Sequence, residues 1–224
     1  MSAAPDLSPG RAPSREPAAR VTRRRAQTRA RLLDAAFTVF AERGYGRASI
    51  EDVCAAAGYT RGAFYSNFSS LEELFFALYE ERAEMITKEV EVVLAGASSG
   101  AAVAQLVDSV VQALPIDRQW TILKTEFLLH AARNPAVAIM LAEHRAALLA
   151  ALSAPLEATV DRAALPPGLR APGALARAVS AAHDGALSQF LLEPDSASQR
   201  EWLRDVLTAL LDRSASRRRG AVSC

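Results

Sequence analysis

Apolar residues recur at every third or fourth position through most of the 224-residue chain, which gathers them on one face of an α-helix. Leu33, Ala36, Phe37 and Phe40 follow this spacing in the first such segment, and Gly44 ends it. No stretch of useful length alternates with the period of a strand, so we predict no sheet. The pattern predicts an all-α chain of about nine helices, at residues 23–43, 50–57, 60–68, 71–95, 101–114, 118–132, 135–162, 174–192 and 198–213.

Residues that favour helix ends mark the second, third and fourth helices. Ser49 stands where an N-cap belongs, and Gly58 can take the left-handed conformation that ends a helix. Thr60 can cap the next helix, and Ser70–Glu73 has the sequence of a capping box. Three helices with a tight glycine turn between the second and third are typical of a helix-turn-helix, here at about residues 49–68.

The third helix, at residues 60–68, carries apolar and polar residues on opposite faces. Phe64 and Phe68 are expected to pack inward, which leaves the polar face free to enter a DNA major groove. Arginine and asparagine side chains can bind base edges, and hydroxyl groups can bind phosphate. The candidate DNA-binding residues on this face are Thr60, Arg61, Gly62, Ala63, Tyr65, Ser66 and Asn67.

The charge of the chain is unevenly distributed, although its formal net charge is only +1. Residues 1–68 hold eleven arginines and six acidic residues, whereas residues 69–224 hold 15 basic and 19 acidic ones. A basic head on a mildly acidic body fits a polyanion partner such as DNA. It fits equally an arginine-rich arm that only keeps the protein soluble, so charge alone leaves both interpretations open.

Composition also narrows the compartment and the function class. No apolar run reaches ten residues, against about 20 for a membrane-spanning helix, and the first 20 residues lack the apolar core of a secretory signal. Only Cys54 and Cys224 are present, which suits a reducing compartment, so we expect a cytoplasmic protein without a membrane partner. We find no enzyme motif, cofactor motif or metal-site spacing of the three histidines.

Two N-terminal stretches carry a specific order of residues, RLLDAAFTVFAERGY at 31–45 and ASIEDVCAAAGYTRGAFYSNFSS at 48–70. In order and spacing they resemble the DNA-binding domain of the Tet repressor (TetR) family, over about residues 23–80. The resemblance implies a homodimeric transcription factor, usually a repressor. Such a protein binds a palindromic operator on double-stranded DNA and is released by a small-molecule effector in its C-terminal domain.

The same resemblance gives roles to single residues. It implies a phosphate contact for Ser49 and places Arg61 to Asn67 at the recognition positions. The chain departs from the family pattern at Asn67, where histidine is more common, and at Leu71, where a lysine usually contacts the DNA backbone. Three arginines near the start of the first helix are placed to reach phosphates or the minor groove and to compensate, namely Arg23, Arg24 and Arg25.

Near the C-terminus, two helices carry wide apolar stripes. Two adjacent antiparallel helices of this kind are what a two-fold four-helix interface needs, although the stripes also fit ordinary intramolecular core. With the family resemblance we favour the dimer. The candidate interface residues are Leu175, Val179, Ala182, Ala186, Phe190, Trp202, Leu203, Val206 and Leu210.

The helix at 118–132 carries an aromatic-lined stripe with one polar group, formed by Trp120, Leu123, Phe127 and His130. Such a stripe suits a ligand pocket between helices and suits plain hydrophobic core equally well. Glu126 and His130, four residues apart, are expected to hydrogen bond to each other. Weaker candidates for the pocket are Met85, Leu106, Val110, His144 and His183.

These patterns predict four regions along the chain: an arm without regular structure at 1–21, a DNA-binding domain at 22–86, a ligand-binding and dimerisation domain at 87–213, and a flexible basic tail at 214–224. The favoured function is a ligand-responsive transcriptional repressor with a small, largely apolar effector. Two alternatives stay open. One is a sequence-independent DNA-binding protein that uses both arginine-rich tails, and the other is an all-helical enzyme.

Overall fold

The computed structural model describes residues 16–96 and 103–211, and within these ranges all regular structure is helical. Three short 3₁₀ turns, at Tyr45–Arg47, Arg162–Ala164 and Pro167–Leu169, were not expected from the sequence. The prediction of an all-α fold is confirmed. The α-helices are α1 (Glu16–Arg43), α2 (Ile50–Ala57), α3 (Arg61–Tyr65), α4 (Leu71–Gly96), α5 (Val103–Ala113), α6 (Arg118–Arg133), α7 (Pro135–Thr159), α8 (Ala174–Leu192) and α9 (Ser196–Leu211).

Helix α1 begins at Glu16, before the predicted start at residue 23. Residues 16–22 have no apolar period, so a search for a buried face does not find them. Alanine and arginine nevertheless favour helix, and Pro17 fits a first helical turn. The prediction of an arm without regular structure is therefore wrong for residues 16–21. The rest of that arm and the predicted tail at 214–224 lie outside the described residues.

Local hydrogen bonds fix the ends of the helix-turn-helix. The Ser49 hydroxyl accepts from the Asp52 amide at 3.2 Å, and the Asp52 carboxylate accepts from the Ser49 amide at 3.0 Å, which completes a capping box at α2. Gly58 ends α2 with φ 70°, a left-handed conformation that favours glycine. Thr60 accepts from the Ala63 amide at 3.3 Å and caps α3. Helix α3 ends at Tyr65, shorter than the predicted 60–68.

Helix α4 begins with a variation on the expected capping box. The Glu73 amide donates to the Ser70 hydroxyl at 3.0 Å, as the pattern predicts. The Glu73 carboxylate, however, accepts from the Ser69 amide at 2.7 Å rather than from that of Ser70. This moves the return bond one residue toward the N-terminus. These bonds hold the segment between α3 and α4.

Two buried clusters of side chains meet along α4. The first joins α1, α2, α3 and the start of α4 to α6 and α7, and Phe40, Phe64, Phe75 and Phe127 are fully buried within it. The second joins the end of α4 to α5, α7, α8 and α9. Since α4 runs through the predicted boundary at residue 86, both halves of the chain share one continuous helix. That boundary itself stays a prediction.

Helix α7 is the one helix of the described ranges that is long and apolar enough to cross a membrane, by length and composition alone. Core helices of soluble proteins meet the same criterion. Here α7 continues past Pro155 and packs against α4, α6 and α8.

Candidate DNA-binding surface and ligand cavity

Helix α3 turns a polar face outward because its apolar face is held in the core. Phe64 is fully buried and lies 5.9 Å, between ring centroids, from Phe68. On the opposite side, Arg61 and Gly62 are exposed, and Tyr65 has 50% of its surface exposed. The short helix therefore presents a guanidinium, a phenol and a glycine backbone together on one surface.

Arg61 is tied to two neighbours on that surface. Its Nη1 lies 2.7 Å from Glu51 Oε1, and its Nη2 donates to the Tyr65 hydroxyl at 3.3 Å. All three side chains are exposed, and ion pairs of this kind contribute little to stability. The guanidinium can therefore exchange these partners for phosphate or a base edge at small cost.

Other candidate residues already use their donors within the protein. The Ser49 hydroxyl donates to Asp52 Oδ2 at 2.6 Å, and the Ser66 hydroxyl donates to the Ala63 carbonyl at 2.8 Å. Asn67 Nδ2 donates to the same carbonyl, and its Oδ1 is buried without a partner in the described part of the chain. These contacts would have to be exchanged for DNA contacts.

The three arginines near the N-terminus lie inside α1 and not before it. Arg23, Arg24 and Arg25 are all exposed. Consecutive residues of an α-helix point about 100° apart, since a turn holds about 3.6 residues. The three side chains therefore spread over more than half of the helix circumference and cannot all face one DNA backbone.

A cavity of about 130 Å³ lies between α4, α5, α6, α7 and α8. Its walls are mostly aliphatic, with polar groups gathered where α6, α7 and α8 meet. A second, smaller cavity of about 80 Å³ shares Tyr79, Lys124, Arg145 and Asp184 with the first. The larger one is lined by Tyr79, Ala83, Ile86, Thr87, Val90, Leu94, Val110, Leu114, Trp120, Lys124, Arg145, Leu148, Leu149, Leu152, Leu156, Ala176, Val179, Ser180, His183 and Asp184.

Asp184 on α8 pairs with two cations in the shared wall. It accepts from Lys124 of α6 through Oδ1 and from Arg145 of α7 through Oδ2, the latter at 3.1 Å. Burial alone would raise the pKa of the Asp184 carboxyl, but the two cations outweigh it and hold that pKa below its usual range. Asp184 is therefore ionised at neutral pH and ties three helices together.

His183 is buried beside this cluster. Its Nε2 donates to the Pro115 carbonyl at 2.9 Å, since a carbonyl oxygen can only accept. Burial lowers the pKa of His183, more than that hydrogen bond raises it. The imidazole is therefore neutral at pH 7 and adds no charge to the cavity. No group of metal-ligating side chains occurs among the described residues.

The structure separates the nine pocket candidates. Val110, Trp120 and His183 line the cavity. The cluster of Lys124, Arg145 and Asp184 was missed, although Lys124 follows Trp120 by four residues and is a lysine within an apolar stripe. The remaining six candidates lie elsewhere: Leu106, Leu123 and Phe127 in packed core, His130 against Tyr45, His144 against Phe76 and Tyr79, and Met85 on the surface with 44% exposed.

Glu126 and His130 contact the helix-turn-helix part and not each other. Glu126 Oε2 accepts from the Tyr45 amide at 2.7 Å, and His130 Nε2 lies 2.7 Å from Glu72 Oε2. The Tyr45 ring packs edge-on against His130, with centroids 5.0 Å apart. The expected i, i+4 bond is therefore wrong, because partners from α1–α4 satisfy both groups.

The predicted dimer stripes divide between core and surface. Leu175, Ala186 and Leu203 have 1%, 0% and 0% of their surface exposed within the single chain, so these three interface assignments are wrong. Phe190 is also buried, and Val179 lines the cavity. The candidates that keep exposed surface are Ala182 on α8 and Trp202, Val206 and Leu210 on α9.

An exposed polar helix on a helix-turn-helix, above a second set of helices that encloses a cavity, defines the class of helix-turn-helix regulators with a ligand-binding body. Sequence comparison agrees at both ends of the chain. The family described as bacterial regulatory proteins, tetR family, matches residues 32–78, and a tetracyclin repressor-like C-terminal domain matches residues 97–213, more than half of the chain. The chain belongs to the TetR family.

Individual relatives support this assignment. The HTH-type transcriptional regulator AcrR of Shigella flexneri is 40% identical over 63 residues, 28% of this chain and 29% of that protein. The matched stretch thus spans less than a third of this curated relative. The structure of Salmonella enterica GusR is 28% identical, with TM-score 0.62, covering 83% of this chain and 95% of that one. A TetR-family regulator from Mesorhizobium loti shares the fold, with TM-score 0.68, 20% identity and coverage of 84% and 96%.

Proposed function

We propose that this protein is a homodimeric, ligand-responsive repressor that binds a palindromic DNA operator. The observation that carries the proposal is the outward face of α3, where Arg61 and Tyr65 are exposed over the buried Phe64. Helix α3 enters the major groove of each half-site, and its small Gly62 lets the backbone approach base edges closely. A small molecule in the cavity among α4–α8 releases the DNA.

Dimerisation uses the outer face of α8 and α9. Trp202, Val206 and Leu210 recur at four-residue spacing on α9, and each keeps surface that a second copy of the chain can cover. Trp202 has 37% of its surface exposed, and large aromatic residues are typical anchors of interfaces. A two-fold interface here brings two copies of α3 to one operator, which matches a palindrome.

The operator test begins with DNA from beside the gene and with a random duplex pool, from which bound sequences are selected. We expect a palindromic sequence whose affinity falls steeply with salt. Arg61→Ala and Tyr65→Ala should each weaken binding by about 1–3 kcal/mol if they contact bases. Arg133→Ala, an exposed arginine at the end of α6, is the matched control. Equal affinity for all duplexes would favour sequence-independent binding, and full affinity of both α3 variants would refute the assignment of α3.

The dimer test uses a charge placed on α9. Val206→Arg should yield monomers in sedimentation velocity runs, because a buried unpaired charge opposes association. Ile139→Arg on α7, where the wild-type side chain is 62% exposed, is the matched control and should leave the dimer intact. A dimeric Val206→Arg protein would place the interface elsewhere.

A further inference from the structure

The wall shared by the two cavities holds more positive than negative charge. Lys124 and Arg145 have one carboxylate between them, that of Asp184, among the ion pairs of the described ranges. The neighbouring His183 is neutral, as shown above, and Tyr79 carries no charge. The cluster therefore has one uncompensated positive charge.

This excess charge is poorly solvated. The side chains of Lys124, Asp184 and Arg145 are only 21%, 30% and 35% exposed, and aliphatic residues surround them in the larger cavity. Charges attract each other more strongly in such surroundings than in water. A negative charge entering the cavity would be stabilised there.

Hydrogen-bond donors remain available for such a group. Arg145 uses Nη2 on Asp184, and a guanidinium offers five N–H donors in all. Lys124 uses one of its three donors on Asp184. The hydroxyl groups of Tyr79 and Ser180 also line the cavity. A second carboxylate can therefore bind the two cations without displacing Asp184.

We propose that the effector of this cavity is a small monocarboxylate, with its carboxylate on Lys124 and Arg145 and its apolar part among the aliphatic walls. The inference rests on the proposed function and names the ligand class of that site. A single negative charge balances the cluster, whereas a cation would add to the excess and a phosphate dianion would exceed it.

The cavity volume sets the size of the apolar part. At about 130 Å³ it is close to the roughly 150 Å³ of an apolar cavity that binds benzene. The effector should therefore carry a single six-membered ring or a short branched chain. Benzoate and cyclohexanecarboxylate match this size.

The experiment is isothermal titration calorimetry on the full-length protein. The probes are benzoate and cyclohexanecarboxylate, with benzamide, cyclohexanecarboxamide, benzylamine and phenyl phosphate as matched comparisons. We expect at least one carboxylate to bind ten times or more tightly than its carboxamide, benzylamine or phenyl phosphate, because the charge-assisted hydrogen bonds require a single negative charge. Equal binding of the carboxamide, tighter binding of benzylamine or phenyl phosphate, or no binding of either carboxylate at 10 mM (about 40 times below which Kd values of interest lie) overturns the proposal.

Variants locate the binding. Arg145→Gln should weaken carboxylate binding about 10- to 100-fold, and Asp184→Asn should strengthen it, since it removes the competing carboxylate. Arg204→Gln is the matched control, because Arg204 also pairs with an aspartate, Asp108, and its side chain is 38% exposed. If Arg204→Gln weakens binding as much as Arg145→Gln does, or if Asp184→Asn abolishes binding, the assignment is wrong.

Operator binding separates this proposal from the proposed function. A protein that binds a palindrome and is released by a neutral or cationic molecule refutes the carboxylate alone. A protein that binds carboxylates in the cavity and no specific DNA refutes the repressor function alone.

Discussion

The contact between Gly44 and Glu126 joins the helix-turn-helix part to the cavity-bearing part, and it can be tested by a double-mutant cycle. Gly44 has φ 78° and ψ 149°, a region populated essentially by glycine. A Cβ added there would lie 2.7 Å from Glu126 Oε1. The same carboxylate accepts from the Tyr45 amide through Oε2 at 2.7 Å. Gly44→Ala therefore strains the backbone and also pushes away the acceptor of the next amide.

The structure gives the size of each effect. Backbone strain at Gly44 should cost about 1–3 kcal/mol. Loss of the charge-assisted hydrogen bond to Tyr45 should cost about 1.5–3 kcal/mol, and Glu126→Ala alone removes that bond. In the Glu126→Ala background the obstructing carboxylate is gone, so Gly44→Ala costs only its backbone strain. The double variant should thus be more stable than the sum of the single effects predicts, by about 1.5–3 kcal/mol.

Urea unfolding followed by circular dichroism, at one protein concentration for all variants, measures the cycle. Gly46→Ala is the matched control, because a Cβ at Gly46 would meet no atom within 4 Å in the described part of the chain. It should change stability by less than about 0.5 kcal/mol. Single effects of Gly44→Ala and Glu126→Ala that add within about 0.5 kcal/mol would refute the shared contact.

Three further predictions follow from the two sites. Glu51→Gln should tighten operator binding in fluorescence anisotropy, since it frees Arg61 and removes a negative charge near the phosphates; unchanged affinity at low salt would contradict this. Leu71→Lys should steepen the slope of log Kobs against log salt by about 0.9 per subunit, and an unchanged slope would show that residue 71 does not reach the DNA backbone. The lowered pKa of Asp184 stabilises the fold above about pH 4 and loses that effect as pH falls through the folded-state value. The stability difference between wild type and Asp184→Asn in urea should therefore be constant from about pH 7 to 5 and shrink below about pH 4; a difference that persists at pH 3 would be inconsistent with it.

Helix positions were predictable from the sequence wherever a cap and a buried stripe coincide. Ser49, Gly58 and Thr60 mark the ends of α2 and the start of α3 in both the sequence and the structure. The start of α1 was not predictable in this way, because residues 16–22 bury no apolar face. Short 3₁₀ turns also leave no periodic signal, since they span only three residues each.

The sites were predictable only in part, because spacing shows which residues share a helix face and not what that face meets. The polar face of α3 was predictable, since Phe64 and Phe68 define its buried side. The cavity cluster was not, because Lys124, Arg145 and Asp184 come from three helices. For the same reason the stripes of α8 and α9 predicted burial of Leu175 and Leu203 correctly but could not show that it occurs inside one chain.

Helix α6 connects the two sites over a short distance. Lys124 lies in the cavity wall, and Glu126 contacts Tyr45 only two residues later, about 3 Å along the helix axis. A ligand that draws Lys124 toward itself must rotate or shift α6, and a rigid helix carries that change to Glu126 and His130. Both of these residues hold groups of the helix-turn-helix part, namely the Tyr45 amide and Glu72. Our hypothesis is that Glu126 transmits effector binding to α3. The Glu126→Ala protein should then still bind benzoate but release operator less completely, and full release would exclude this route.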